Sequence, residues 1–165
     1  MQFINYFFTS IISFLGLLIG IILVKIAPEE QKPLQKYFIL LRKILLLIIF
    51  VFIIFYYFSD KFNLIILFLF FIFLLLIEYK TNHLLKKSII IYLFLGILFF
   101  LSSKNVNLFT IESSLIMLYG LPTASLLCNI KEKNQYKIIF YNIGFVILAN
   151  ILFLFNYHLS FLTLK

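Results

Sequence analysis

The sequence predicts an all-α, polytopic integral membrane protein whose six transmembrane helices form one domain over residues 1–165. Three observations carry this expectation. Mean hydropathy is +1.15, and 64% of residues are hydrophobic against 12% charged, far from the mixture of a soluble domain. Apolar runs recur at lengths near the ~20 helical residues that cross a ~30 Å hydrocarbon core. Lysine and arginine gather in alternate connections, as the positive-inside rule requires.

The first span is expected over residues 3–26, where Lys25 and the sequence Ala27-Pro28-Glu29-Glu30 return the chain to water. It has no basic leading region, so it reads as a retained span and not as a signal peptide. The second span, 37–58, opens near Arg42 and Lys43 and closes on the interfacial pair Tyr56 and Tyr57. A tight turn at Ser59-Asp60-Lys61 makes the third span, 62–79, its antiparallel partner. The fourth span, 84–103, follows the connection Lys80 to His83, with Lys86 and Lys87 snorkelling from its first turns. The fifth is 108–128, and the solvated loop 129–137 leads to the sixth, 138–157, with a short apolar tail beyond it.

Charge sets the orientation. Lys25, Lys32, Lys36, Arg42 and Lys43 flank the first connection, Lys80, Lys86 and Lys87 the third, and Lys131, Lys133 and Lys137 the fifth, eleven in all. The opposite side has Lys61, Lys104 and Lys165. Connections one, three and five are therefore expected in the cytoplasm and both termini outside. In this setting a net charge of +8 is a topology signal, and no nucleic-acid partner is implied. Membrane lipid is the expected partner, with a second copy of the chain or a larger membrane complex beside it. The first connection, with Glu29, Glu30, Lys32 and Lys36 interleaved with Leu34, Tyr37 and Phe38, is expected to lie along the headgroups.

Small and polar residues mark the faces where helices touch in lipid. Thr9, Ser13, Gly16 and Gly20 fall on one face of the first span, and Gly16 and Gly20 form a GxxxG. Asn142, Ala149 and Asn156 recur at steps of seven in the sixth span, with Asn150 on the flank. Asparagines facing lipid would be costly, so this stripe should look into the bundle, either as interhelical glue or as ligands. Spans one, five and six are thus expected to form a polar seam, with two, three and four turned more to lipid.

The fifth span is the unusual one. It carries Glu112, a hydroxyl cluster at Thr110, Ser113 and Ser114, and a break at Gly120-Leu121-Pro122, where Pro122 removes an amide hydrogen and frees the carbonyl of residue 118. Glu112, Tyr119 and Thr123 share a face. Five residues, or ~7 Å, inside the helix start, Glu112 is expected near the interface, within reach of water and favoured by the helix N-terminus. The alternative role is cation or proton binding in an outward cavity, with Asn150 or Asn156 beside it.

Much chemistry is excluded. One cysteine, Cys128, forms no intrachain disulfide or CxxC pair, and His83 and His158 have no partner at ligand spacing, so no metal or cofactor is expected. The single aspartate, Asp60, rules out paired intramembrane aspartates, and there is no Walker sequence or HExxH.

Ile26-Ala27-Pro28-Glu29-Glu30, Lys36-Tyr37-Phe38 and Tyr119-Gly120-Leu121-Pro122-Thr123 together resemble a pattern in uncharacterised small multi-span membrane proteins of archaea. That resemblance implies a membrane location and draws notice to the IAPEE and YGLPT motifs. The six-span size is also similar to the substrate-binding components of vitamin transporters, whose N-termini are expected inside, contrary to the charge count. The function expected from all this is a noncatalytic membrane component or subunit. The rival is a small-solute or ion transporter with its site between spans one, five and six, and a lipid-modifying enzyme is the third class.

Overall fold

The computed structural model describes residues 2–58, 61–80, 83–129 and 135–163. They form α1 (Phe3–Ile26), α2 (Gln31–Tyr56), α3 (Lys61–Lys80), α4 (Leu84–Ser102), α5 (Val106–Asn129), α6 (Gln135–Asn142) and α7 (Gly144–Thr163), with no strand among the described residues. The expected turn at Ser59-Asp60, the connection at Thr81-Asn82, Lys131 and Lys133 of the fifth loop, and Lys165 lie outside the described residues.

Five helices are long and apolar enough to cross a membrane: α1, α2, α4, α5 and the rod Tyr136–Asn156. α3 adds the shorter apolar run Leu64–Ile77. The rod is α6 and α7 joined at Ile143. Ile143 donates its amide to the Ile139 carbonyl at 3.0 Å, and Ile147 donates to Ile143 at 3.2 Å, so the ladder continues through the bend. Gly144 follows the bend, and α7 runs on to Thr163, well past the expected end at 157. No proline or glycine interrupts that tail.

Local chemistry sets the other ends. α1 stops before Pro28, and the Ala27 amide closes the last turn on Leu23 at 3.0 Å. α2 starts at Gln31, six residues earlier than expected, because Pro33 falls in the first turn, where a missing amide hydrogen costs nothing. The segment expected to lie along headgroups is therefore helix, and the true connection is Ala27 to Glu30. α5 starts at Val106 because the Asn105 side chain accepts from the amides of Asn107 at 2.9 Å and Leu108 at 3.1 Å, an N-cap.

α5 is the hub. α1 runs parallel to it in close contact, α2 lies along another side, and α4 crosses antiparallel. α4 packs in turn on α7, parallel to it, and α7 closes on α1. The inner stretch of α5 from Pro122 to Leu127 is buried on every side. α3 is peripheral and buries a narrow seam of Leu67, Leu74 and Ile77.

α4 corrects the expectation that it turns mainly to lipid. Lys87, Ser88, Ile91, Tyr92, Leu95, Gly96, Leu98, Phe99 and Ser102 are all buried on it. The reason is a stripe at steps of four, Ser88, Tyr92 and Gly96, that presents small and polar groups to α5 and α7.

Candidate functional site

The α1–α5 crossing is made by backbone meeting backbone. A Cβ added at Gly16 would strike the carbonyl of Met117, and one at Gly120 would strike the backbone of Gly16 and Leu17. At Gly20 it would come within 2.7 Å of both Ala124 Cβ and the Leu121 carbonyl. Glycine is required here for close approach, which maximises the dispersion contacts that hold helices together in an apolar solvent. Ser13, buried beside this crossing, gives its hydroxyl hydrogen to Thr9 at 2.9 Å.

Pro122 does not break α5, which continues as helix to Asn129. Gly120 leaves space for α1 to press against this part of the helix, and hydroxyls on the following turn bond back to carbonyls one turn earlier. Thr123 donates to Tyr119 at 2.8 Å and Ser125 to Leu121 at 3.1 Å, so neither serves the carbonyl of residue 118. The hydroxyl cluster at the start of α5 is also spent locally: Thr110 donates to Val106, and Ser113 and Ser114 both donate to Thr110, each at 2.9 Å. Thr110 and Ser113 line a groove with Asn5, Thr9, Val106 and Phe109 between the starts of α1 and α5.

The asparagines divide. Asn142 is buried, accepts from Ser88 at 2.8 Å and donates to the Ile138 carbonyl at 2.7 Å. Asn150 donates to Ser10 Oγ at 3.0 Å and to the Val146 carbonyl at 2.7 Å. Ala149 is buried against Gly96, and its carbonyl accepts from Tyr6 at 3.1 Å. Asn156 is exposed, contrary to the expectation that the whole stripe faces inward. Phe3, at the start of α1, is level with Phe153, their rings 6.1 Å apart, so Asn156 projects about one turn beyond the end of its neighbour.

A double-mutant cycle of Ser88→Ala and Asn142→Leu should give a coupling of about 1 kcal/mol in detergent unfolding, within the range of interhelical bonds in membrane proteins. Additive effects would mean that the bond contributes nothing to holding α4 against α6.

Glu112 is the largest correction. It is 0% exposed, and neither carboxylate oxygen has a hydrogen-bond partner among the described residues. The expected reach to water fails because α1 and α4 cover this face of α5. Three residues before it on α5, Phe109 packs on Phe99 at 4.7 Å and on Tyr6 at 5.6 Å. Seven residues after it, Tyr119 meets Tyr92 edge-on at 5.9 Å. Glu112 thus lies between two aromatic layers.

The basic first connection is mostly solvent-facing: Lys25, Glu29, Glu30, Lys32, Lys36 and Lys43 are all exposed. Arg42 is the exception, buried at 3% exposure in register with Leu45, Leu46, Ile49 and Ile53 on the inward face of α2. Lys87 is buried likewise on α4 and does not reach out as a snorkelling side chain would.

The residues that sequence reasoning missed are Tyr6, Ser10, Ser88, Tyr92 and the Asn105 cap. Their signal was present as a second polar stripe, Tyr6, Ser10 and Ser13 on α1 and Ser88, Tyr92 and Gly96 on α4. Among the described residues, no three His, Cys, Asp or Glu side chains gather as a metal site would require. Compared with protein-family models, curated proteins and solved structures, the chain matches none.

Proposed function

We propose that the chain is a six-span integral membrane protein, termini outside and connections one, three and five cytoplasmic, acting as a noncatalytic component that packs with itself or with a larger membrane complex. The observation that carries this reading is how the buried polar side chains are used. Tyr6 to Ala149, Ser88 to Asn142, Asn150 to Ser10 and Tyr57 to Leu101 each tie one helix to another, at 2.8–3.1 Å. These groups hold helices together, and a chain of ligands along a substrate path would leave them pointing at open space. The outward faces agree with a membrane setting: Ile65, Ile66, Phe68, Leu69, Ile72, Phe73, Leu75 and Leu76 of α3 are all exposed, a patch too large for a soluble monomer.

The full chain extracted in mild detergent is expected to emerge as a dimer or higher assembly, or with a second membrane protein bound. A monodisperse single chain would count against the component reading. Orientation is tested separately in a Cys128→Ser background. An impermeant thiol reagent added to intact cells should label Lys104→Cys and leave Lys36→Cys untouched, and the reverse pattern would invert the topology.

Transport of a small solute or ion is the second reading. One observation favours it: the buried Glu112 carboxylate without a hydrogen-bond partner among the described residues. An ionisable group that costs several kcal/mol at membrane depth is uncommon without a use.

A further inference from the structure

Around Tyr6, side chains from α1, α4, α5 and α7 meet in one layer, with its ring 5.1 Å from Phe99, 5.6 Å from Phe109 and 4.2 Å from Phe153. About one helical turn, ~5 Å, further along the bundle, the same faces bring up Ser10, Gly96, Glu112 and Asn150. The 3.0 Å bond from Asn150 to Ser10 belongs to this second layer, and the Tyr92–Tyr119 pair forms its far wall.

The amide and serine hydrogens of this layer are already committed. Asn150 gives its amide hydrogens to Ser10 Oγ and the Val146 carbonyl, and Ser10 gives its own to Phe7 at 2.7 Å. What remains without a hydrogen-bond partner among the described residues are the buried oxygens Glu112 Oε1, Glu112 Oε2 and Asn150 Oδ1, and the Tyr92 hydroxyl. The first three only accept, and the phenol brings a single hydrogen to them. The shortage is of hydrogen or positive charge, and that defines the ligand.

Among the described residues, no side-chain cation sits at this level. The titratable groups facing the layer are the phenols of Tyr6 on α1, Tyr92 on α4 and Tyr119 on α5 itself. Lys87 lies nine residues, ~13 Å, from Gly96 along α4, and Arg42 lies ~22 Å along α2 from Tyr57, whose hydroxyl meets Leu101 ~7 Å beyond Gly96, which leaves Arg42 ~15 Å from this layer; both lie towards the other end of the bundle. The aromatic walls and Leu95 supply few further oxygens for a metal ion, whereas a proton needs only one donor and one acceptor.

We propose that Glu112 is a proton-binding site at the centre of the bundle, with Asn150 as its hydrogen-bond acceptor. A proton taken from water resides on one carboxyl oxygen, and that O–H is donated to Asn150 Oδ1. One hydrogen thereby serves the carboxyl and the amide oxygen together and joins α5 to α7. Returning the proton to water leaves acceptor facing acceptor inside an aromatic cage, which favours the entry of water. Protonation is therefore coupled to keeping this layer dry. The inference rests on this layer and holds for an assembly component and a transporter alike.

Infrared spectroscopy on the full chain in detergent, labelled with 13C-glutamate, tests it. At neutral pH one of the five glutamates should show a protonated-carboxyl band, shifted by the label and insensitive to sodium. Glu112→Gln should remove the band, and Asn150→Ala should move it towards the frequency of a free acid. The labelled wild-type protein decides the matter even where Glu112→Gln does not fold. Absence of the band at neutral pH overturns the proposal. Its loss on adding sodium at constant pH overturns it in favour of a metal-cation site, and a band unmoved by Asn150→Ala overturns the pairing.

Discussion

Gly16→Ala is expected to destabilise the folded bundle by more than about 3 kcal/mol, beyond the usual range for an added core methyl. The methyl would meet the Met117 backbone, with the Cα only 2.9 Å away, and no side-chain rotation relieves that collision. α1 and α5 would have to separate along the whole Gly16, Gly20 and Gly120 contact, losing dispersion that lipid does not replace. Gly144→Ala is the control. There a new Cβ meets the Leu93 Cδ2 at 3.1 Å, the far end of a flexible side chain, and the cost should stay under about 1 kcal/mol. Reversible denaturant titration in detergent micelles measures both. Equal effects at the two positions would show that α1 and α5 are not held by backbone contact.

Tyr6→Ala should cost about 2–4 kcal/mol, somewhat below the about 3–5 kcal/mol for deleting a buried aromatic side chain in a soluble core. The reduction has a physical reason. An unfolded transmembrane helix is already in an apolar solvent, so the transfer term shrinks and the cavity term remains. Tyr6 is fully buried, contacts three aromatic rings and donates to Ala149. Tyr6→Phe keeps the rings and removes only the bond, so it should cost about 1 kcal/mol. If the two variants proved equally destabilised, the aromatic layer would contribute nothing beyond its hydrogen bond.

The two predictions probe features of different legibility. Gly16 and Gly20 were visible as a spaced pair of small residues, and the structure packs both against α5. Tyr6 carries no such mark, since a lone tyrosine near a helix start fits an interfacial anchor equally well. Its burial depends on Phe99, Phe109 and Phe153, which come from three other helices. The Asn142, Ala149 and Asn156 stripe shows the same limit. A step of seven keeps residues on one face of a straight helix, but it does not record where the neighbouring helix ends.

Depth along a helix was likewise a poor guide to exposure. Glu112 is only six residues from the start of α5, and that distance alone argues for water. It is fully buried because Tyr6 and Phe99 close over the end of the bundle above it. Pro122 failed in the other direction. A missing amide hydrogen is a local fact, whereas α5 continues through it as helix with α1 packed on Gly120.

The sequence by itself determined the all-helical class, the location of the apolar rods to within about six residues at their ends and the small-residue face of α1. Each follows from composition or spacing along one chain, and hydropathy is a sum over neighbours in sequence. The tertiary structure alone decided that α5 is the hub, that α4 is inside, and that Glu112 is enclosed. Those depend on which faces meet. In an apolar solvent, where nearly every face is equally hydrophobic, a few glycine contacts and hydrogen bonds choose among arrangements that hydropathy cannot distinguish.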